Sequence, residues 1–217
     1  MELNHFIDHT LLNPEATEEQ VETVIQQAID NHFHTVMINP YWVGKTHEAL
    51  KATDVLTATV IGFPLGATTT ASKVAETKEA IKDGVDEIDM VMNIGEMKSG
   101  HYDRVAQDIA AVVKVAHTEN KIVKVIIETA LLSDEEITRA SQIVANMGAD
   151  FVKTSTGFST RGAQIHDIEL MAAAVQGTNT QVKASGGIHT AREAEEMINA
   201  GATRLGVSRS MQIIGKS

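Results

Sequence analysis

Three charged residues occur inside segments that otherwise have the composition of buried β-strands. Lys153 lies in Phe-Val-Lys-Thr, Lys183 in Gln-Val-Lys-Ala, and Asp89 in Glu-Ile-Asp-Met-Val. Strands of a parallel sheet covered on both faces are usually runs of Val, Ile and Leu, and lysine is rarely buried without a partner. Two lysines and a carboxylate at such positions therefore indicate either a structural ion pair or catalysis.

The catalytic interpretation is amine chemistry. A lysine must be neutral to add to a carbonyl carbon, whereas its ordinary pKa is about 10.4. A second ammonium about 5 Å away, at an effective dielectric constant near 20, disfavours the charged form by roughly 3 kcal/mol, or about 2 pKa units. A lysine pair thus suffices to supply a nucleophile near neutral pH. The structural interpretation is a salt bridge between Asp89 and one lysine, and the residues alone leave both open.

An alternation of strands and helices is predicted to position these residues. The sequence contains eight strand segments, which are Phe6–Thr10, Thr35–Asn39, Leu56–Phe63, Asp86–Met92, Ile122–Glu128, Asp150–Thr154, Gln181–Ser185 and Thr203–Val207. The alternation predicts a parallel sheet, and eight such units predict a (β/α)8 TIM barrel that forms a single α/β domain over residues 1–217. The doubly wound open sheet is the alternative, but its usual G-x-G-x-x-G turn after the first strand is missing.

Local signals mark the ends of several helices. Three pairs of residues have the spacing of a capping box, in which a hydroxyl accepts from an amide at the helix start and a side chain reaches back. These pairs are Thr17 with Gln20, Ser133 with Glu136, and Thr190 with Glu193. Three glycines stand where a left-handed residue would end a helix, namely Gly84, Gly148 and Gly201.

The predicted barrel brings the charged residues onto a few strands. Lys153 and Lys183 belong to the neighbouring strands six and seven, and Asp89 belongs to strand four. All three are expected near the C-terminal ends of their strands, the face on which barrel enzymes keep their chemistry. Lys124 and Glu128 share a face of strand five, and we expect them to form a structural ion pair with each other.

Glycine and hydroxyl residues follow strands six, seven and eight. Barrels often bind phosphate with the loops after strands seven and eight, where glycine amides and hydroxyl donors approach the anion. The predicted phosphate-binding residues are Thr154, Gly157, Gly186, Gly187, Ser208 and Arg209. Arg161 is expected to add positive charge nearby. For each loop on its own, a turn without a ligand is the alternative.

Composition limits the classes of partner and cofactor. The formal net charge of −11 disfavours nucleic acid and anionic membranes as partners, because both require a basic surface. The chain contains no cysteine and its histidines lack metal-binding spacing, so we predict no metal and no cofactor. A transmembrane run of ~20 apolar residues is missing, as are the basic region and cleavage site of a signal peptide. A cytoplasmic protein is therefore expected.

Six motifs give the sequence a family resemblance. In chain order they are Asp8-His-Thr-Leu-Leu12, Val60-Ile-Gly-Phe-Pro-Leu-Gly66, Glu87-Ile-Asp-Met-Val91, Lys124-Val-Ile-Ile-Glu-Thr129, Phe151-Val-Lys-Thr-Ser-Thr-Gly157 and Val182-Lys-Ala-Ser-Gly-Gly-Ile188. With these motifs the chain resembles the deoxyribose-phosphate aldolases over essentially its whole length. The last two motifs are the most specific.

The resemblance implies a class I aldolase that reversibly cleaves 2-deoxy-D-ribose 5-phosphate to acetaldehyde and D-glyceraldehyde 3-phosphate. It implies that Lys153 forms the Schiff base, that Lys183 lowers the pKa of Lys153, and that Asp89 belongs to the proton relay. The positions that match the family's phosphate loops are Gly157, Gly186, Gly187 and Ser208. The resemblance also implies metal-independent catalysis and a homo-oligomer of two or more subunits.

Two other functions are alternatives. A transaldolase-like or keto-acid aldolase would share the Schiff base on Lys153 and differ in its donor, so comparing acetaldehyde with hydroxyacetone as donors separates it. A non-catalytic sugar-phosphate binder or a phosphate-binding isomerase needs the phosphate site but no perturbed lysine. Lys153→Ala would leave the activity of such a protein intact.

The sequence departs from the family pattern at several positions. Met37 and Ala130 stand where cysteine is common, and losing a thiol beside an aldehyde site is expected to reduce covalent trapping by reactive enals. Arg161 and Arg209 replace residues that are commonly small, and His189 stands where arginine is frequent. We expect these three changes to affect phosphate affinity more than catalysis.

Overall fold

Eight parallel β-strands close into a barrel in the computed structural model of the chain, which describes residues 2–216. The strands follow one another in chain order, and the eighth pairs with the first. They are β1 (Ile7–Leu11), β2 (Thr35–Ile38), β3 (Leu56–Ile61), β4 (Glu87–Val91), β5 (Ile122–Ile126), β6 (Phe151–Lys153), β7 (Gln181–Ser185) and β8 (Arg204–Val207). Each predicted strand segment overlaps one of them, so the (β/α)8 barrel is confirmed.

Helices alternate with the strands. They are α1 (Glu18–Asn31), α2 (Val43–Leu50), α3 (Thr70–Lys82), α4 (Ile94–Lys98), α5 (Tyr102–Thr118), α6 (Asp134–Asn146), α7 (Ile165–Ala174), α8 (Ala191–Asn199) and α9 (Ser210–Ile213). Short 3₁₀ turns lie at Asn4–Phe6, Pro40–Trp42 and Thr129–Leu131. Within residues 2–216, no helix combines the length and apolar character needed to cross a membrane.

The helix ends follow the local signals of the sequence. All three predicted capping boxes form, at the starts of α1, α6 and α8, with the hydroxyl and the third-residue side chain each bonded to the other's backbone amide. Gly84, Gly148 and Gly201 directly follow the C-caps of α3, α6 and α8 and have φ of +96°, +76° and +120°. A positive φ strains other residues, which explains glycine at these helix ends.

Alternation along the strands separates the helix-facing core from the barrel interior. On β4, Ile88 and Met90 are fully buried in the main apolar core, whereas Glu87 and Asp89 point inward, as predicted. The barrel interior has an apolar side and a charged side. A small apolar cluster fills the side nearest β2 and β3, and its members are Leu12, Met37, Ala58 and Val60, with Phe63 packed against them. The remaining strands contribute charged side chains.

Candidate active site

Seven charged side chains form one cluster inside the barrel. Each belongs to a residue that is at most 7% exposed, so every charge needs a partner within the protein. They are Asp8 on β1, Glu87 and Asp89 on β4, Lys124 on β5, Lys153 on β6, Lys183 on β7 and Arg204 on β8. The predicted trio of Asp89, Lys153 and Lys183 is thus part of a larger ionic network.

Asp89 is the shared partner of three lysines. Its Oδ2 accepts hydrogen bonds from Nζ of Lys153 and from Nζ of Lys183, each at 2.7 Å. Its Oδ1 accepts from Nζ of Lys124 at 2.8 Å. Because one oxygen serves both Lys153 and Lys183, the two amines lie within hydrogen-bond reach of the same atom. A proton can therefore pass between either amine and Asp89 without movement of the backbone.

Asp8, Glu87 and Arg204 complete the network. Lys183 also bonds to Asp8, and Lys124 bonds to Glu87 at 2.6 Å. Arg204 donates to Oδ1 of Asp8 at 2.9 Å and to Oε2 of Glu87 at 2.8 Å. Sequence reasoning did not assign roles to Asp8 or Arg204. Both residues lie on predicted strands, and side chains two positions apart on a strand point to the same face. This alternation was the available signal that Asp8 and Arg204 point into the barrel.

The predicted ion pair between Lys124 and Glu128 is wrong. Strand β5 ends at Ile126, and Glu128 adopts a left-handed conformation with φ of +56°, so the alternation that would place both residues on one face has already ended. Glu128 instead accepts hydrogen bonds from the hydroxyl and amide of Thr156. Lys124 turns to Asp89 and Glu87, and these carboxylates, with Asp8, raise its pKa despite burial.

Lys153 is the weakly basic amine of the network. The pKa of Lys153 is lowered to about 8: burial is the largest cause, the ammonium of Lys183 adds to it, and the carboxylate of Asp89 opposes it. A second ammonium was expected to be the main cause of the lowered pKa of Lys153, but burial is the larger cause. Burial raises the pKa of Asp89, but the nearby ammonium groups of Lys124, Lys153 and Lys183 outweigh it, and the carboxyl remains ionised.

Lys153, Asp89 and Lys183 occupy different positions within their strands. Lys153 is the last residue of β6, as expected for a group at the C-terminal face. Asp89 and Lys183 are central residues of five-residue strands, two positions before the strand ends, and Lys183 pairs in register with Lys153. Strands in a barrel are staggered, and distance along one strand does not translate directly into height. Lys153 is among the residues that line the cavity at this face, and Asp89 and Lys183 are not.

A cavity of about 280 Å³ opens above Lys153 at this face. It is lined by residues within or directly after β1, β6, β7 and β8, namely Thr10, Leu12, Asn13, Lys153, Thr156, Gly157, Phe158, Ser185, Gly186, Gly206 and Ser208. Gly206 belongs to β8, two residues before the predicted phosphate residue Ser208. A Cβ atom there would lie 3.1 Å from Cε of Lys183, so a side chain would press on that lysine.

Three of the predicted phosphate residues line this cavity: Gly157, Gly186 and Ser208. Gly157 and Gly186 have φ of +89° and +80°, and Gly187, which follows, has +75°, so both loops need glycine conformations. A Cβ atom on Gly186 would also lie 3.1 Å from Cα of Gly162. The loops after β6 and β7 are thereby packed backbone against backbone.

The other predicted phosphate residues occupy different positions. The Thr154 hydroxyl bridges β6 and β7, donating to the carbonyl of Ser185 and accepting from its amide, so it braces the two strands beneath the cavity. Arg209 is exposed at the start of α9. Arg161 forms a salt bridge with Asp167, which neutralises its charge. Within residues 2–216, no cluster of three or more His, Cys, Asp or Glu is suited to bind a metal ion.

These features define a class: a (β/α)8-barrel protein that presents a buried, weakly basic lysine to a cavity at the C-terminal face. A family model described as DeoC/LacD family aldolase matches residues 4–211. The chain therefore belongs to the DeoC/LacD family of aldolases.

Individual relatives agree with this assignment. A deoxyribose-phosphate aldolase of Lactiplantibacillus plantarum is 67% identical over 216 residues and covers 100% of both chains. A solved structure of a Coccidioides immitis protein superposes with a TM-score of 0.96 at 40% identity, covering 99% of this chain and 85% of that one. The deoxyribose phosphate aldolase of Aeropyrum pernix, described as having a unique tetrameric structure, gives a TM-score of 0.92 at 32% identity, with 98% and 89% covered.

Proposed function

We propose that the chain is a class I aldolase that reversibly cleaves 2-deoxy-D-ribose 5-phosphate to acetaldehyde and D-glyceraldehyde 3-phosphate through a Schiff base on Lys153. One observation carries this proposal. Lys153 is a buried amine with a pKa lowered to about 8, bonded to Asp89 and exposed to a cavity at the face where barrels perform chemistry. The activity of named relatives supplies the substrate.

Cleavage begins with the neutral amine of Lys153. Its nitrogen adds to the aldehyde carbon C1 of the open-chain sugar, and loss of one water molecule gives an iminium. Lys153 loses its proton to water in the cavity before attack, since its pKa is about 8, and the ionised Oδ2 of Asp89, 2.7 Å from Nζ, holds the amine in place. Lys183, bonded to the same oxygen, helps keep that carboxylate ionised.

The iminium then accepts the electrons of the C2–C3 bond. A proton leaves the C3 hydroxyl as the bond breaks, which releases D-glyceraldehyde 3-phosphate and leaves an enamine on Lys153. Protonation of the enamine at C2 and addition of water release acetaldehyde and restore the amine. Asp89, Lys183 and a water molecule carry these protons in our proposal.

The loops around the cavity are proposed to bind the phosphate. Gly157, Gly186 and Ser208 line the end of the cavity built by the loops after β6, β7 and β8, and Gly187 follows Gly186 in the same loop, so amides and a hydroxyl are available as donors. Arg209, exposed beside Ser208, adds positive charge, and Thr154 supports the loops from below. The cavity lies just under the size range of ~300–1,000 Å³ typical of drug-sized ligands, which suits a five-carbon substrate.

The activity is expected to depend on pH through Lys153. The free amine is the reactive form and its pKa is about 8, so kcat/KM for cleavage rises about tenfold per pH unit below that value and is level above it. Measurement from pH 7 to 9.5 avoids the second ionisation of the substrate phosphate near pH ~6. A kcat/KM that stays flat between pH 7 and 8 would contradict the assignment.

A negative charge at the proposed phosphate site tests the loops. Ser208→Asp is expected to lower kcat/KM for 2-deoxyribose 5-phosphate by about 10- to 100-fold through charge repulsion, while cleavage of unphosphorylated 2-deoxyribose changes little. Asn199→Asp adds the same charge at the exposed C-terminal end of α8 and serves as the matched control. Equal losses for both sugars would place the phosphate elsewhere.

The direct test of the reaction is product analysis. The protein incubated with 2-deoxyribose 5-phosphate is expected to release acetaldehyde and glyceraldehyde 3-phosphate in equal amounts, and to condense the latter with acetaldehyde in preference to hydroxyacetone. Preference for hydroxyacetone would instead identify a transaldolase-like enzyme. Binding of the sugar phosphate without any product would indicate a non-catalytic binder.

The assembly and setting of the protein are part of the proposal. We propose one domain over residues 1–217, supported by the closure of the barrel between β1 and β8. A homo-oligomer of two or more subunits is supported by the tetrameric relative from Aeropyrum pernix. A cytoplasmic location is proposed because charged sugar phosphates do not cross membranes freely. Sedimentation of the purified protein tests the oligomer.

A further inference from the structure

Arg204 is a buried cation that the proposed reaction does not use. It stands at the start of β8, away from the residues that line the cavity, and is 7% exposed. Its guanidinium bonds to Asp8 on β1 and Glu87 on β4, and its carbon Cζ lies 5.1 Å from the centre of the Phe151 ring. A guanidinium suits this position because its planar fork bonds two carboxylates at once.

Carboxylate partners are unevenly shared among the three interior lysines. Lys124 lies 2.6 Å from Glu87, 2.8 Å from Asp89 and 3.8 Å from Asp8. Lys183 bonds to both Asp8 and Asp89. Within the part of the chain that the structure describes, Lys153 has a salt bridge to Asp89 alone, through the oxygen that Lys183 also uses. Lys153 is therefore the least compensated amine.

Arg204 also sets the charge balance of the interior. The three carboxylates of Asp8, Glu87 and Asp89 face four basic groups, three lysines and one arginine, so the fully ionised network carries one surplus positive charge. Loss of one proton restores neutrality, and arginine does not release a proton at accessible pH. Without Arg204, three carboxylates would match three ammonium groups and Lys153 could remain charged.

Two other ionisable groups lie near the network, and neither forms a salt bridge with Lys153. Strands β2 and β3 contribute no ionisable side chain to the interior. Glu128 accepts hydrogen bonds from Thr156 at the cavity end. His34 lies 3.4 Å from Glu87 at the opposite end and is partly exposed, so its protonation would add positive charge there.

We propose that Arg204 is a positioning residue for the amine chemistry assigned to Lys153. Its guanidinium holds Asp8 and Glu87 as counter-ions of Lys183 and Lys124, and its fixed charge makes Lys153 the interior base that gives up its proton. This inference rests on the proposed function, because it concerns the reactivity of the Schiff-base lysine. In this proposal Arg204 on β8 affects catalysis through its charge and does not contact the substrate.

The test is a charge-exchange series read out as the pH profile of kcat/KM. Arg204→Met removes the surplus charge, and we expect the acid limb of the kcat/KM profile to shift to higher pH by about one unit. Arg204→Lys keeps the charge and is expected to leave the limb near its wild-type position. Arg204→Met combined with Glu87→Gln removes one cation and one anion, so this double variant should return the limb towards wild type. Glu87→Gln alone should lower it.

The outcomes are distinct. An upward shift in Arg204→Met that the double variant reverses supports the proposal. Activity losses in every variant with an unmoved limb would show a purely structural role and overturn it. If Arg204→Met does not fold, the pH profile of Glu87→Gln is the test, because an unchanged acid limb in that variant also overturns the proposed effect of charge. Each series includes the wild-type protein. If the wild type releases no acetaldehyde and gives no borohydride-trapped adduct on Lys153, the proposed function is rejected. If trapping is normal and the acid limbs do not move among the variants, only the role of Arg204 is rejected.

Discussion

Lys153→Ala is expected to lower kcat for cleavage of 2-deoxyribose 5-phosphate by about 10⁴-fold or more, because the residue forms the covalent intermediate on which every later step depends. Binding of the phosphate end should survive, since the loops after β7 and β8 do not rest on this side chain. Lys153→Arg is the matched variant. It keeps a positive charge beside Asp89 but has no nucleophilic amine, and we expect it to be equally inactive.

Folding should not account for this loss. Burial lowers the pKa of Lys153, so below pH 8 the folded state holds a proton on an unfavourably placed amine. The native pKa lies below the ordinary value of 10.5, and the wild-type protein therefore gains stability as the pH rises from about 8 towards that value. Lys153→Ala should lack this rise and be no less stable at pH 7. A variant that unfolds, or one that keeps more than a hundredth of the activity, would contradict the assignment.

Asp89→Asn is expected to impair both catalysis and stability. In our proposal Asp89 orients the amine of Lys153 and belongs to the proton relay, and it is the shared counter-ion of three lysines, so we expect a loss of about 10²–10⁴-fold in kcat. Breaking a buried ion pair from one side typically costs about 3–5 kcal/mol in unfolding free energy. The pKa of Asp89 is lowered in the fold, so its contribution is present above the ordinary value of 3.8 and is lost as the pH falls below it.

A second buried ion pair provides the matched control for Asp89. Asp108 on α5 lies 2.5 Å from Nζ of Lys73 on α3, in contact with the helix layer rather than the barrel interior, and both are almost fully buried. Asp108→Asn should reduce the unfolding free energy by a similar amount while kcat stays within a few-fold of wild type. If both variants lose activity in proportion to stability, Asp89 acts structurally and the proton-relay role fails.

The fold was predictable because its signals are local. The capping boxes at Thr17, Ser133 and Thr190 and the positive-φ glycines after α3, α6 and α8 each depend on residues a few positions apart. Strand ends were less accessible. β5 ends at Ile126, two residues before the predicted end, and this difference alone misplaced the partner of Lys124.

The chemistry of the site was predictable in part. Lys153, Lys183 and Asp89 were identifiable because a charge in a buried strand is rare, and the structure places all three in direct contact. The choice of ion partners was not, because Asp8 and Arg204 lie 196 residues apart and meet only when β8 closes on β1. The dominant cause of the lowered pKa of Lys153 was also out of reach, since burial is a property of the whole barrel.

Borohydride trapping tests the central claim most directly. The protein is incubated with 2-deoxyribose 5-phosphate, reduced, digested and mapped by mass spectrometry, with Lys153→Ala and Lys183→Ala treated in parallel. We predict one substrate-derived adduct on the peptide containing Lys153, absent in Lys153→Ala and still formed, at a lower rate, in Lys183→Ala. An adduct on Lys183, or acetaldehyde release with no adduct on any lysine, would contradict the Schiff base on Lys153.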